Sequence, residues 1–174
     1  MNQGMEEQST GRASFPVPDP DRLAGVISDL LGKEVNARLG KPLALRSGTP
    51  VVLALFRDEQ GKVREVVTCD IMLAAYIGAA LALLPSDVDL QVIREQKLPD
   101  NLLDNFREVM NVVGGTLFNG NDTPHLVLDE VITVPRRLPA ELKPILTRPA
   151  NWLFVDVNLE DYGDGKMAVL AAPL

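Results

Sequence analysis

Asp104, Glu108, Asn111 and Gly115 recur at intervals of three or four residues in a segment with the apolar spacing of an amphipathic helix. At about 100° per residue, these four positions lie within about 60° of one another. The opposite side collects the large apolar residues Leu103, Phe106, Val109, Met110, Val113 and Leu117. A carboxylate and a carboxamide one turn apart therefore project together. Periodicity alone favours an ordinary solvated helix face, so assigning chemistry to the pair needs a second signal.

The composition is typical of one compact domain with a substantial core. The chain has 174 residues, of which 46% are hydrophobic and 24% charged. Its formal net charge of -7 argues against binding DNA or RNA through the phosphate backbone. The longest apolar run, residues 71–84, is shorter than the roughly 20 residues of a membrane-spanning helix. We therefore expect a protein or small-molecule partner, with no nucleic acid and no membrane.

Cysteine usage and the start of the chain indicate a cytoplasmic protein. Cys69 is the single cysteine, so no internal disulfide and no zinc site of paired cysteines can form. The first residues are polar and acidic and lack the basic and apolar regions of a secretory signal. Cys69 itself is expected to be a small buried apolar group.

In the first half of the chain, residues 1–18 are too polar to recover the entropy of ordering and are predicted to be a disordered tail. A core-facing helix begins after Asp19 or Asp21 as N-cap and ends near Gly40. Two apolar runs, 50–56 and 63–68, flank a charged turn with a glycine and predict a β-hairpin. The apolar run 71–84 predicts a buried helix, which lies centrally or at a subunit interface, so a homodimer is left open.

In the second half, a short helical piece is expected after Ser86 or Asp87, and the amphipathic helix runs from about Asp100 to Phe118. Alternating residues 125–134 predict a strand, which Pro135 ends. Residues 135–150 hold four prolines and predict a loop with one helical turn near 140–142. A final hairpin is predicted from strands 152–158 and 166–170.

This order of elements predicts an α+β domain over residues 19–174. A helix with strands and a second helix is followed by another helix with strands. The two halves are loosely similar in organisation, with helices packed on an antiparallel sheet.

A family resemblance supplies the second signal. The pattern Asp104-x-x-x-Glu108-x-x-Asn111, followed by Pro135 after the next strand, resembles the signature of the CheC, CheX and FliY phosphatases of bacterial chemotaxis. The gap to Pro135 is about one residue longer than the family spacing. The order of helices and strands over residues 20–174 resembles the family more weakly, and only the helix motif is specific.

The resemblance implies hydrolysis of the aspartyl phosphate on a phosphorylated CheY-like response regulator. The receiver would supply its own magnesium ion and lysine, so this chain needs no cofactor of its own and has only to place a water in line. Asn111 suits that task because a carboxamide both accepts from and donates to one water. Glu108 would pair with a receiver lysine, and Asp104 would be a peripheral contact.

Gly114 and Gly115 would form the partner-facing rim beside Asn111, and Pro135 completes the motif. A glycine inside a helix lowers helix stability by up to about 1 kcal/mol relative to alanine, so the presence of two adjacent glycines has to be explained. Close approach of a partner is one reason, and a kink or tight helix packing is the other.

The resemblance is to a single-site, CheX-like member, because the first helix lacks a Glu-x-x-Asn pair. His125 is the only histidine, which leaves no two-imidazole metal site and no nucleophile–base pair. Two alternatives remain. One is a non-catalytic module of the same fold that docks a receiver or flagellar component. The other is an unrelated domain in which Glu108 and Asn111 are covered or tied up in local hydrogen bonds.

Overall fold

The computed structural model describes residues 13–43, 50–88, 92, 94–134 and 137–174. Its centre is a six-stranded antiparallel sheet in the order β1-β5-β6-β3-β2-β4. The strands are β1 Val35–Leu39, β2 Val51–Arg57, β3 Val63–Asp70, β4 Val127–Val134, β5 Asn151–Leu159 and β6 Gly163–Ala171.

Within the described residues, three long helices cover one face of the sheet and a short helix further along the chain covers part of the other. The three are α1 Pro20–Leu31, α2 Ile71–Leu81 and α3 Asp100–Leu117, and their buried residues share one core with the near side of the sheet. The short helix, α4 Leu142–Thr147, packs into a second and smaller core on the far side. The predicted α+β class, with helices on an antiparallel sheet, is confirmed.

The predicted two-half organisation is visible in the strand order. Exchanging β1 with β4, β2 with β5 and β3 with β6 reproduces the same order read from the other edge. Each half contributes a helix and three strands, and its first strand pairs with the middle strand of the other half. The two halves are therefore interlocked through their edge strands and joined where β3 pairs with β6.

Helix α2 is central. Its N-cap is Asp70, whose side chain accepts a hydrogen bond from the backbone N–H of Leu73 at 2.8 Å. Most of its residues are buried within the chain itself, which explains its apolar sequence without a subunit interface. The homodimer remains a prediction. Of the short helical piece expected before Pro99, the structure describes a 3₁₀ turn at Ser86–Val88 and helical residues at positions 92, 94 and 95. Residues 89–91 and 93 lie outside the described residues.

The predicted end of the first helix near Gly40 is wrong. Asp19 does cap the helix, since its side chain accepts from Arg22 N at 2.8 Å. The helix ends at Leu31 because Gly32 takes a left-handed φ of 63° and donates its N–H to Ser28 O. The next residues form β1, paired with β5.

The predicted boundary between tail and domain at residue 18 is also wrong. Phe15 is only 1% exposed and lies in the main core. Its N–H donates to Ala172 O at 3.2 Å, and Ser14 forms a β-bridge with Pro173. The buried ring, the hydrogen bond and the β-bridge together hold this polar stretch on the domain. Residues 1–12 of the predicted tail lie outside the described residues.

The segment predicted as a loop over residues 135–150 contains helix α4, Leu142–Thr147, which lies later than the expected turn at 140–142. Pro144 stands in its first turn, where a missing N–H breaks no helical hydrogen bond. Leu142 and Ile145, one turn apart, bury the inner side of the helix. The remaining predicted strands and helices are confirmed to within a few residues at their ends.

Candidate functional site

Helix α3 carries the predicted motif on the side that faces away from the core. Seven of its residues are buried, at the spacing of one helix face: Leu102, Phe106, Val109, Met110, Val113, Gly114 and Leu117. Asp100 stands in the first turn, where a carboxylate complements the positive end of the helix. The face opposite this buried stripe is the polar face that the apolar spacing of the sequence predicts.

The N-terminal half of α3 is fixed against α2 at close range. A Cβ on Gly78 would lie 2.5 Å from the backbone oxygen of Leu102, so only glycine permits this approach. Asn105 donates from Nδ2 to Gly78 O at 3.0 Å, which satisfies a carbonyl of α2 with a side chain of α3. These contacts leave little freedom for α3 to slide or rotate along α2.

The other flank of α3 is held to the edge strand β4. Arg107 donates from Nη2 to the backbone oxygen of Asp129 at 2.8 Å. Arg57 binds the Asp129 carboxylate at 2.7 Å and the Glu141 carboxylate at 2.7 Å, and these two partners raise the pKa of the Arg57 guanidinium further above its usual value. The network links α3, the sheet and the residue before α4.

The C-terminal end of α3 is closed by the side chain of Asn119. Its Oδ1 accepts from Leu126 N at 2.7 Å and its Nδ2 donates to Leu126 O at 3.2 Å. These two hydrogen bonds hold the ends of the turn-rich segment between α3 and β4 together. The helix is braced at both ends and on both flanks, so side chains on its outer face have a defined direction.

Asp104, Glu108 and Asn111 are all exposed on that outer face, and we call these three residues the α3 ridge. None of the three makes a side-chain hydrogen bond or ion pair with another residue that the structure describes. The alternative of an unrelated domain predicted that Glu108 and Asn111 would be covered or held in local hydrogen bonds, and their exposure counts against it. The ridge is open instead, and an amide and a carboxylate one turn apart are available to a second molecule.

Gly115 and Val112 border the ridge. Gly115 is exposed on the same side, and no atom lies within 4 Å of where its Cβ would be. Val112 is 39% exposed, an apolar group directly next to Asn111 in sequence. At about 100° per residue it lies on the flank shared with Asn105, toward α2. A partner that reaches Asn111 would meet this small apolar area and a stretch of helix surface without a side chain.

Gly114 does not belong to the partner-facing rim. It is buried, and a Cβ there would lie 2.2 Å from Cε1 of Phe56. Phe56 is itself fully buried and packs edge-on against Phe118, with ring centroids 4.9 Å apart. Tight packing of the helix on the sheet, the alternative reason for this glycine, accounts for it. Only Gly115 of the pair faces outward.

Alanine at these two adjacent glycines is expected to change stability in opposite directions. Gly114→Ala forces a methyl group against the ring of Phe56 and should lower the free energy of unfolding by about 1–3 kcal/mol. Gly115→Ala meets no neighbour and should raise it by up to about 1 kcal/mol, because alanine favours the helix. Urea unfolding of both variants measures the difference, and equal shifts would contradict the packing described here.

The remaining motif residue, Pro135, lies outside the described residues; β4 ends directly before it, at Val134. Helix α1 is the counterpart of α3 in the other half, and its exposed residues include Asp21, Gly25 and Asp29. These residues do not form a Glu-x-x-Asn pair, and the absence of a second pair on α1 agrees with the sequence-based prediction of a single site.

Other candidates contribute no site. Cys69 is a free, fully buried thiol, and burial raises the pKa of that thiol. His125 is exposed just before β4. Within the described ranges, no three His, Cys, Asp or Glu residues are grouped so that they could hold a metal ion. No helix in that part of the chain is both long enough and apolar enough to cross a bilayer.

Sequence reasoning missed the residues that brace the ridge. Asn105 and Arg107 are polar residues on α3 whose partners lie 27 and 22 positions away in the chain. The sequence feature that could have identified them is their position on α3, one on each side of the ridge. Their backbone partners on α2 and β4 could not be read from spacing.

The fold is shared with known proteins. The described chain has the α+β fold of the CheC/CheX/FliY type, built from two interlocked halves. It is similar to FliY of Thermotoga maritima, with a TM-score of 0.55, 18% identity and coverage of 86% of this chain and 82% of that one.

It is also similar to a chain in the CheX–CheY–BeF3–Mg²⁺ complex of Borrelia burgdorferi, with a TM-score of 0.50, 16% identity and coverage of 87% and 94%. The FliM middle domain of H. pylori has a TM-score of 0.46 and 12% identity over 88% and 84% of the two chains. The sequence matches no protein-family model, and no curated protein is a significant match.

Proposed function

We propose that this protein is a phosphatase that hydrolyses the aspartyl phosphate of a CheY-like response regulator. The observation that carries the proposal is the exposure of Glu108 and Asn111, without a side-chain partner among the described residues, on a helix that is braced on both flanks. CheX of B. burgdorferi, a protein of this fold, forms a complex with CheY in the presence of BeF3 and Mg²⁺. That complex supports a CheY-like partner.

In the proposed reaction Asn111 enters the phosphorylated pocket of the receiver and orients one water. The water oxygen forms a bond to phosphorus, the bond from phosphorus to the aspartyl oxygen breaks, and the aspartate leaves as a carboxylate while the water proton passes to solvent or phosphate. The Asn111 side chain can accept a hydrogen bond from the water through Oδ1 and donate one to the water oxygen through Nδ2, which fixes the direction of the remaining lone pair of the water. Positioning of this kind is a large part of phosphoryl-transfer catalysis.

Glu108 is proposed to bind the lysine of the receiver and set the register of the two proteins. A carboxylate one turn before Asn111 lies about 4.5 Å away along the helix axis, since each residue rises about 1.5 Å. A charge-assisted contact there would hold the amide at a defined depth. Asp104, a further turn back, would contact the periphery, and Gly115 would allow the receiver backbone to approach.

The magnesium ion belongs to the receiver in this proposal and neutralises charge on the phosphoryl group. This chain would hold no cofactor, and its activity would need no second copy. The proposal places the chain in the cytoplasm with its substrate.

The test is phosphate release from a panel of purified CheY-like receivers of the same organism, each phosphorylated with acetyl phosphate. We expect the protein at catalytic concentration to accelerate phosphate loss at least tenfold for one receiver, and chelation of Mg²⁺ should abolish the effect. A receiver that binds the protein but keeps its phosphate would show instead a non-catalytic docking module of the same fold. The absence of binding to every phosphorylated receiver would contradict both.

A further inference from the structure

The second core, on the sheet face away from α1, α2 and α3, is only partly closed. Its centre is well buried, with Leu53, Val66 and Leu142 at 0% exposure. The apolar side chains at its margin are only partly buried: Leu43, Leu138, Leu146, Trp152 and Phe154. An apolar surface of this kind, rimmed by polar residues, is typical of a binding site.

Two adjoining cavities lie at this margin, with volumes of about 610 and 660 Å³. The floor of the first includes Thr68, Ala168 and Leu170, and the second is lined by Trp152 and Pro173. Thr147, Pro149 and Phe154 line both cavities, and we call the two adjoining cavities together the back groove. Each compartment has the size of a small-ligand pocket.

The charge of the back groove is opposite to that of the whole chain. The protein has 24 acidic residues and a net charge of -7, yet no Asp or Glu is among the described residues that line the two cavities. Lys143 lines one and Arg148 the other, and neither forms an ion pair or side-chain hydrogen bond within the described ranges. An apolar floor with two available cations complements an amphipathic anion.

We propose that the back groove binds an extended acidic peptide segment of a partner protein, with large apolar side chains in both compartments. A single compact ligand would fill one compartment and meet one cation. An extended chain places successive same-side residues roughly 6–7 Å apart, so it can occupy both compartments and bring carboxylates to Lys143 and Arg148. The groove lies on the opposite face of the sheet from the α3 ridge, so this interaction is separate from the proposed phosphatase site.

The chain contains a built-in reporter for this binding. Trp152 is the only tryptophan, and it lines one compartment. A peptide without tryptophan that enters the groove removes water from the indole, so its binding should shift the emission of Trp152 to shorter wavelength.

The experiment is a selection from a random 12-residue peptide library on the full chain, followed by titration of synthetic peptides with Trp152 emission as the readout. We expect the enriched peptides to be acidic with at least two large apolar residues. The double variant Lys143→Glu with Arg148→Glu should weaken their binding by about tenfold or more, and added salt should weaken it in the wild type. Arg94→Glu with Lys97→Glu is the matched control, since both residues are exposed and line neither cavity.

Four results would overturn the proposal. They are the absence of enriched peptides, the enrichment of basic ones, equal binding to the Lys143→Glu, Arg148→Glu variant, and binding that leaves Trp152 emission unchanged. Decanoate is included as a single-chain carboxylate; if it shifts Trp152 emission and no peptide does, the groove is a small-ligand site. Because phosphate release from the receiver is measured separately, failure here does not affect the proposed phosphatase, and the reverse also holds.

Discussion

Replacing Asn111 with alanine is expected to reduce accelerated phosphate release by about 100-fold while the affinity for the phosphorylated receiver changes little. A methyl group cannot accept from or donate to the attacking water, so the water loses its in-line orientation. The loss of one positioned hydrogen-bonding group at a reacting centre typically reduces the rate by about 10²–10³-fold. Asn111 is exposed and its side chain makes no hydrogen bond within the described ranges, so the fold should be unaffected.

The measurement is single-turnover phosphate release at saturating protein, together with receiver binding by fluorescence anisotropy. Asn101→Ala is the matched control, because Asn101 is also an exposed amide on α3 but lies ten residues, or about 15 Å, from Asn111 along the helix axis. The control should retain wild-type release. Full activity in Asn111→Ala would contradict the proposed role of the amide. Weaker receiver binding with an unchanged maximal rate would show that Asn111 only helps the two proteins to dock.

Periodicity predicted the elements that have a long, one-sided pattern. Helix α3 buries a stripe at helical spacing, and strands β2 and β3 are almost fully buried, so their sequences carry a strong signal. Strand β1 has five residues, of which only Val35 is buried, and it is held by its pairing with β5. Pairing with a strand 120 residues away leaves no mark on the local sequence, which is why the helix was predicted to run on.

The direction in which the candidate site faces was predictable from the sequence, but the contacts that hold helix α3 against other elements were not. The exposure of Glu108 and Asn111 follows from their angle relative to the apolar stripe of the same helix, a local property. The burial of Gly114 follows from Phe56 on a different element, so the angle alone could not assign this glycine to packing. Phe15 illustrates the same limit, because this buried aromatic residue in a polar stretch has its backbone partner, Ala172, at the other end of the chain.

Glu65 should make the protein less stable as the pH rises. It lies in the middle of the sheet between Phe56 and Ala171, is 0% exposed, and neither carboxylate oxygen has a hydrogen-bond partner among the described residues. Burial raises the pKa of Glu65 to about 9, from an ordinary value of 4.5. Between these two values the folded state keeps a proton that the unfolded state releases. The free energy of unfolding therefore falls with increasing pH, by at most about 1.4 kcal/mol per unit.

Glu65→Leu removes this penalty and should raise the thermal midpoint more at pH 8 than at pH 5. Over the three pH units the penalty grows by at most about 4 kcal/mol. With about 2–4 °C per kcal/mol for a chain of this size, we expect the gain at pH 8 to exceed that at pH 5 by up to about 8–16 °C. Differential scanning calorimetry of the wild type and the variant at both pH values measures these thermal midpoints.

The difference between the two proteins separates the contribution of Glu65 from that of other groups, such as Asp58, whose pKa Arg64 holds below its usual value. Glu59→Leu, at an exposed residue of the same hairpin, should show no such pH dependence. An equal gain at both pH values would mean that Glu65 is not held protonated by the fold.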